Sequence, residues 1–387
     1  MKKLQFSARM QKVKKARSVY INELVYSAKR AGKDPIVLSL GEAYFDIPNY
    51  GFDDEIVLGG YHYSDSQGLP KLRQKISEYL DRVHSASDIN ADDNIIISGG
   101  SKLLTYMSML ITLNDGDEVL LHEPAWLSYE DQALLCGATV RYLPYQYTLK
   151  EISDGFSDVT KLVVINNPNN PAGWVYDFNS LNDMIAQAEE KGIYVLVDEA
   201  YSEFTRGQGF RSATSLVRQY SNLIVVNSIS KNFGMSGWRI GFAVASQEII
   251  AKLKITNQHV ITCAPTMLQQ YIEKNFEKIW STCNKQIHEL LNKRQKVLEM
   301  LNKYGFKVLD GDATFYFFVE LWPQGINSSE LVEKLLVEDG VAVVPGEAYG
   351  KSTSHFVRLS FGAESLERIE TALCKIKERM RECNIIG

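Results

Sequence analysis

The chain is poor in cysteine, with five in 387 residues, at 136, 263, 283, 374 and 383. No two have C-x-x-C spacing, so neither a zinc ribbon nor a thiol redox motif is suggested. A scattered, odd-numbered set fits the reducing cytoplasm better than an oxidising compartment. Long apolar runs are missing as well. No stretch reaches the roughly 18 residues needed to span a membrane. The opening "MKK" leads into "LQFSARMQK", which has no apolar signal core. Positive charge is not in excess: the net charge is −5, which gives no field for nucleic acid. The basic stretch 1–17 reads as a solvated helix face rather than a binding arm. There is no internal repeat and no low-complexity linker. No G-x-G-x-x-G follows a strand, which counts against a nicotinamide oxidoreductase.

What is present is the composition of a globular protein, 45% apolar and 23% charged. At about 100–200 residues per domain, the length suggests two domains, or one large one with an appendage. Residues 70 to 245 alternate apolar runs with helical patterns. The runs are "NIIIS" (94–98), "EVLLHE" (118–123), "KLVVIN" (161–166), "IYVLVDE" (193–199), "LIVVNS" (223–228) and "IGFAVA" (240–245). They are rich in Val and Ile and apolar on both faces, as strands of a buried, mostly parallel sheet are. Between them lie helix candidates such as "SLNDMIAQAEEKG", which stops at Gly192. The alternation predicts a doubly wound α/β domain. Beyond about residue 247 one or two long helices are followed by "FYFFVEL", "VAVVPG" and "FVRLSFG", strands of a smaller α+β unit. The expected division is an N-terminal arm and part of the small domain over 1–45, a large domain over 46–275 and a small domain over 276–387.

Ligands of open α/β sheets bind beyond the carboxyl ends of the strands. Five such ends carry chemistry here. After "NIIIS" come Gly99, Gly100, Ser101 and Lys102, opening a helix. After "EVLLHE" come Pro124 and Trp126. "NPNNPAG" holds Asn170. "IYVLV" ends in Asp198, with Tyr201 three residues on. "LIVVN" ends in Ser228, Ser230 and Lys231, with Arg239 eight residues further. Each has a plain reading alone. Paired glycines make a strand–helix turn, Asp198 could cap a helix, Trp126 could be core, and "NPNNPAG" is turn chemistry. Lys231 is different, because a lysine at a buried strand end is costly unless paired or functional.

Together the set suits pyridoxal 5′-phosphate. That cofactor needs a lysine for a Schiff base and a carboxylate to keep its pyridine nitrogen protonated. Its phenolic oxygen needs donors, and its phosphate needs a helix N-terminus, hydroxyls and an arginine. Lys231 is the amine and Asp198 the carboxylate. Asn170 and Tyr201 are the phenolate partners. Gly100, Ser101, Ser228 and Arg239 form the phosphate cup, and Trp126 stacks on the ring.

"NPNNPAG", "VDEAYSEF" and "SISKNFGMSGWRIGF" resemble the class I/II aminotransferases of the fold type I pyridoxal-phosphate enzymes. "VLSLGEAYFDIP" is similar to their substrate loop, and "YHYSDSQGLPKLRQKISEYL" to the segment whose tyrosine crosses between subunits. The three C-terminal strands match as well, so the likeness runs from about residue 20 to the end. It implies catalytic roles for Lys231, Asp198 and Tyr201. It also implies that Arg358 grips the substrate α-carboxylate, that Gly41 leaves room for it, and that Tyr63 reaches the partner's cofactor phosphate in a homodimer. The implied reaction moves an amino group between an L-amino acid and a 2-oxo acid by a ping-pong mechanism, with no metal, nucleic acid or membrane involved. One departure bears on substrate range. Gly41-Glu42-Ala43-Tyr44-Phe45 stands where the family usually has Gly-Glu-Pro-Asp-Phe. Rival readings are a β-eliminating C–S lyase on the same scaffold and a non-catalytic cofactor-sensing module.

Overall fold

The computed structural model describes residues 4–382 apart from 14, 16, 207–208 and 322–327; Cys383 lies outside them. Among the described residues the strands form three sheets. The largest has seven strands. In spatial order they are Ile95–Ser98, Gly241–Ala245, Leu223–Ser228, Tyr194–Asp198, Thr160–Asn166, Glu118–His122 and Thr139–Leu143. Gly241–Ala245 runs antiparallel to both neighbours; the other six are parallel to one another. All six expected strands form, with ends shifted by a residue or two. The seventh, Thr139–Leu143, escaped because it is a half-exposed edge strand, "TVRYL", without a doubly apolar run.

Helices cover both faces of this sheet. Phe178–Glu190 begins at Asp177, whose side chain accepts from the Ser180 N–H at 2.8 Å. The chain leaves it through Gly192 at φ +67°, as a left-handed stop requires. Residues 4–13 do not form the expected helix face. They are almost all exposed, with a turn at 8–12, and the first helix starts only at Arg17. Leu4 and Phe6 are exposed, and a short helix is marginal without a buried face.

A second, antiparallel sheet holds Val344–Pro345, Phe356–Ser360, Tyr316–Glu320 and Lys307–Val308. Ile36–Val37 pairs in parallel with Val341–Ala342, so the N-terminal segment joins the C-terminal unit. One unbroken helix of 38 residues, Thr266–Lys303, connects the two cores. Tyr271, Phe276 and Cys283 pack beneath the large sheet. Ile287, Leu291 and Leu301 pack in the smaller core.

Candidate active site

The parallel register aligns the strand ends: Asn166 lies beside Asp198, and Asp198 beside Val226. Above that edge is a cavity of about 450 Å³, walled by Gly41, Ser101, Trp126, Asn170, Asp198, Tyr201, Ser228, Lys231, Arg239 and Arg358 among others. These ten come from seven separate stretches of sequence.

Lys231 is carried by the single helical turn Ile229–Asn232 that follows Ser228. Its Nζ donates to the Gly41 carbonyl. Burial pushes its pKa down to about 8; Arg358, Arg239 and Lys102 add to the shift and Glu42 opposes it. Asp198 ends its strand and is buried. Its Oδ2 accepts from the Tyr129 hydroxyl at 2.6 Å and its Oδ1 from the Ala200 N–H at 3.1 Å. The second contact caps a turn, and no helix follows directly for Asp198 to cap, so the helix-cap reading does not describe it. Burial raises the Asp198 carboxyl, while Tyr129 and Ala200 pull it back. The Tyr201 and Tyr316 hydroxyls meet at 2.8 Å, and Asn170 Nδ2 points to Tyr201 at 3.4 Å.

Arg358 is buried opposite. One Nη donates to Asn170 Oδ1 at 3.2 Å and the other to the Ser39 carbonyl at 2.7 Å. Its guanidinium lies 4.5 Å over the Tyr316 ring, and its Nε has no hydrogen-bond partner among the described residues. A Cβ on Gly41 would stand 3.2 Å from Tyr316 Oη and 3.8 Å from the Arg358 fork, so glycine keeps that approach open.

At the other end, the helix Ser101–Thr112 points its first N–H groups at the cavity. Gly100 has φ +94°, and a Cβ there would come within 2.5 Å of an Arg239 nitrogen. Glycine is what lets the guanidinium lie against the helix start. Ser228 Oγ accepts from the Ser230 N–H at 3.0 Å. Lys102 sits 4.9 Å over Trp126; burial and the nearby Arg239 lower its pKa. Tyr63 is not in this cavity. It is 84% exposed and lines a separate surface hollow with Tyr61 and Pro265.

Charge decides what such a site accepts. Among the described residues no carboxylate pairs with Lys102, Lys231, Arg239 or Arg358, and no cation pairs with buried Asp198. Arg358 and Asp198 are buried, where uncompensated charge is costly, and Lys231 and Arg239 add positive charge to the walls, so the site suits a ligand with anionic groups at two ends and a cation near Asp198. The profile of a family described as aminotransferase class I and II matches residues 60–376. The chain belongs to that family.

This aminotransferase is 33% identical over 359 residues to the (5-formylfuran-3-yl)methyl phosphate transaminase of Methanocaldococcus jannaschii, covering 92% of this chain and 94% of that one. It is 32% identical over 364 residues to an aspartate aminotransferase of Pyrococcus abyssi, covering 90% and 92%. The structure of aspartate aminotransferase from Thermus thermophilus with maleate is similar at a TM-score of 0.87 and 26% identity, over 97% of this chain and 100% of that one. All three are named for amino-group transfer and none for elimination. Fold type I and the transferase class are thereby established, and enzymes of this family use pyridoxal phosphate.

Several wall residues of the aminotransferase site carried no expectation. Tyr129 lies in the first turn of the helix Ser128–Leu135, its ring 5.2 Å from that of Trp126 just before the helix. Tyr316 could have been found from the strand pairing. Phe318 faces Arg358 and Tyr316 faces Ser360, so Tyr316 and Arg358 are diagonal neighbours on one face. Asn166 is the tie between two motifs: its Oδ1 accepts from Asn170 N–H at 2.6 Å and its Nδ2 donates to Asp198 O at 2.9 Å.

Proposed function

We propose that the cavity binds pyridoxal 5′-phosphate on Lys231 and exchanges amino groups between α-amino acids and 2-oxo acids. The observation that carries this is the charge pattern just described: unpaired cations at both ends of one cavity and a buried carboxylate lacking a cation. When bound, the cofactor supplies an aldehyde for amine capture and a ring that accepts charge from the substrate α-carbon.

Lys231 Nζ would anchor that aldehyde and, when freed, move the α-proton. A pKa of about 8 keeps a useful share of neutral amine near neutral pH. Asp198 would hold the ring nitrogen protonated, and Tyr129 would keep the carboxylate oriented for it. Tyr201 and Asn170 would donate to the phenolic oxygen. The Ser101 N–H, the Ser101 and Ser228 hydroxyls and Arg239 would bind the phosphate, with Trp126 covering one ring face. Arg358 would hold the substrate α-carboxylate and so orient the α-carbon toward Lys231. The cytoplasm is the proposed compartment, in keeping with unpaired thiols at Cys136, Cys263, Cys283 and Cys374.

The test is nitrogen transfer. Holoenzyme given a nitrogen-labelled amino acid and an unlabelled 2-oxo acid should place the label on the new amino acid; release of ammonia and pyruvate from a cysteine conjugate would instead favour the lyase. Arg358→Ala should raise KM for both partners by about thirtyfold or more, since truncating one member of a buried charge pair costs about 2–5 kcal/mol. Arg358→Lys should recover only part, because a point charge lacks the planar fork. Unchanged KM in both variants would remove Arg358 from the site.

We also propose a homodimer in which Tyr63 serves the partner's cavity. Tyr63 and Tyr61 are both largely exposed, as residues awaiting a second copy would be. Neither Lys231→Ala nor Tyr63→Ala subunits should be fully active alone. Dissociated and mixed, they should regain activity, because one cavity of each hybrid dimer then carries neither change. Mixing without gain, or an active monomer by sedimentation, would exclude sharing.

A further inference from the structure

The turn that carries Lys231 is held from behind by a buried polar network that takes no part in binding. Asn232, the residue after Lys231, is fully buried. Its Nδ2 donates to Asn227 Oδ1 and to Ser202 Oγ, both at 2.9 Å, and its Oδ1 accepts from the Glu203 N–H at 3.4 Å. Asn227 Oδ1 also accepts from the Ser228 N–H at 2.7 Å, and Asn227 Nδ2 donates to Ser202 Oγ at 3.2 Å. Two asparagines thus clamp both ends of the 227–232 turn onto one serine oxygen.

Glu203, whose N–H reaches Asn232, ties the same turn to Tyr79. The Tyr79 hydroxyl in turn donates to Glu203 Oε1, which also pairs with His84 Nε2 at 3.0 Å. Burial, then Glu203, raises the Tyr79 hydroxyl well above its ordinary value, so it stays a donor. The partners of Asn232 set which way its amide faces: two acceptors meet its Nδ2 and a backbone N–H meets its Oδ1. The Tyr79 ring stands edge-on to Phe233, which anchors the same turn from its apolar side.

We propose that Tyr79, Ser202 and Asn232 are positioning residues that set the approach of Lys231 Nζ, with Glu203 bridging Tyr79 and Asn232. This rests on Lys231 being the reacting amine. None of the three lines the cavity, so their effect would be indirect.

Tyr79→Phe is the test, since it removes the hydroxyl that Glu203 holds and leaves the ring packing. Holoenzyme carrying it should show kcat lowered several-fold to roughly tenfold, within the hundredfold that a 1 Å misplacement can cost. KM for the amino donor should stay within about twofold. The pH midpoint of the holoenzyme's visible spectrum should shift, because Nζ no longer sits in the same field. Ser202→Ala should do the same, and Ser202→Thr, which keeps the hydroxyl, should recover part. Thermal unfolding of each variant separates misfolding from misplacement. A lowered melting temperature with kcat and spectral midpoint both unchanged would reduce the network to a structural role. If instead the wild-type protein carries cofactor on a lysine other than 231, the underlying reading fails and not this one alone.

Discussion

Lys231→Ala is expected to lose at least roughly three orders of magnitude in turnover, since a positioned base alone contributes ~10²–10⁴ and the covalent anchor goes with it. The cavity contains a second amine, Lys102, so the loss must be tied to the right one. Lys102 lies over the Trp126 ring and has Arg239 beside it. Lys231 stands at the Gly41 carbonyl, where Arg358 and Arg239 both act on it. Borohydride treatment of the wild-type holoenzyme should therefore fix the cofactor's mass on the peptide bearing Lys231. Label on the Lys102 peptide would overturn the assignment. The pH dependence gives a second check. Only neutral amine captures an aldehyde, and a depressed pKa makes it available earlier as pH rises. Capture by cofactor-free protein should accelerate up to about pH 8 and level off above it. An ordinary lysine would keep accelerating to about pH 10. Lys102→Ala should leave that profile's midpoint within reach of 8, displaced upward only because one neighbouring cation is gone.

Why could so much of this site be read before any coordinates? A doubly wound sheet puts the carboxyl ends of its strands at one edge, so polar residues following Val- and Ile-rich runs converge whatever the intervening helices do. Asn170, Asp198, Ser228 and Lys231 were legible for that reason. Arg358 and Gly41 were not, because both sit outside the large sheet; only likeness to a family pointed to them. Arg358 arrives on an antiparallel strand some 127 positions after Lys231, and Gly41 on a segment held by the C-terminal unit. Tyr129 and Tyr316 went unseen because a tyrosine among twenty carries no signal until strand or helix faces are known. The edge strand Thr139–Leu143 was missed on the same principle, since only one of its sides is apolar. The network behind Lys231 was invisible in a stronger sense. Asn232, Ser202 and Tyr79 belong to three stretches whose meeting depends on the packing of the Pro70–His84 helix against the large sheet.

Asp198 separates two roles that look alike in the sequence. As a cap it needs only an acceptor for the Ala200 N–H; as the partner of a protonated ring nitrogen it needs a charge. Asp198→Asn keeps the acceptor, nearly keeps the shape and removes the charge. If the cap were all that mattered, the asparagine enzyme would work almost normally and only Asp198→Ala would suffer. The buried position, with Tyr129 donating at 2.6 Å and no cation paired to it among the described residues, argues for charge. Both variants are therefore expected to slow exchange of the substrate α-proton with deuterated solvent by roughly two to four orders of magnitude, the equivalent of about 3–5 kcal/mol for breaking a buried ion pair. Borohydride should still fix cofactor on Lys231 in both, because the anchor does not depend on Asp198. Asp198→Glu should fall between, since it restores the charge but crowds Tyr129. Near-normal exchange in Asp198→Asn would show that the carboxylate serves the turn alone and that something else compensates the ring nitrogen.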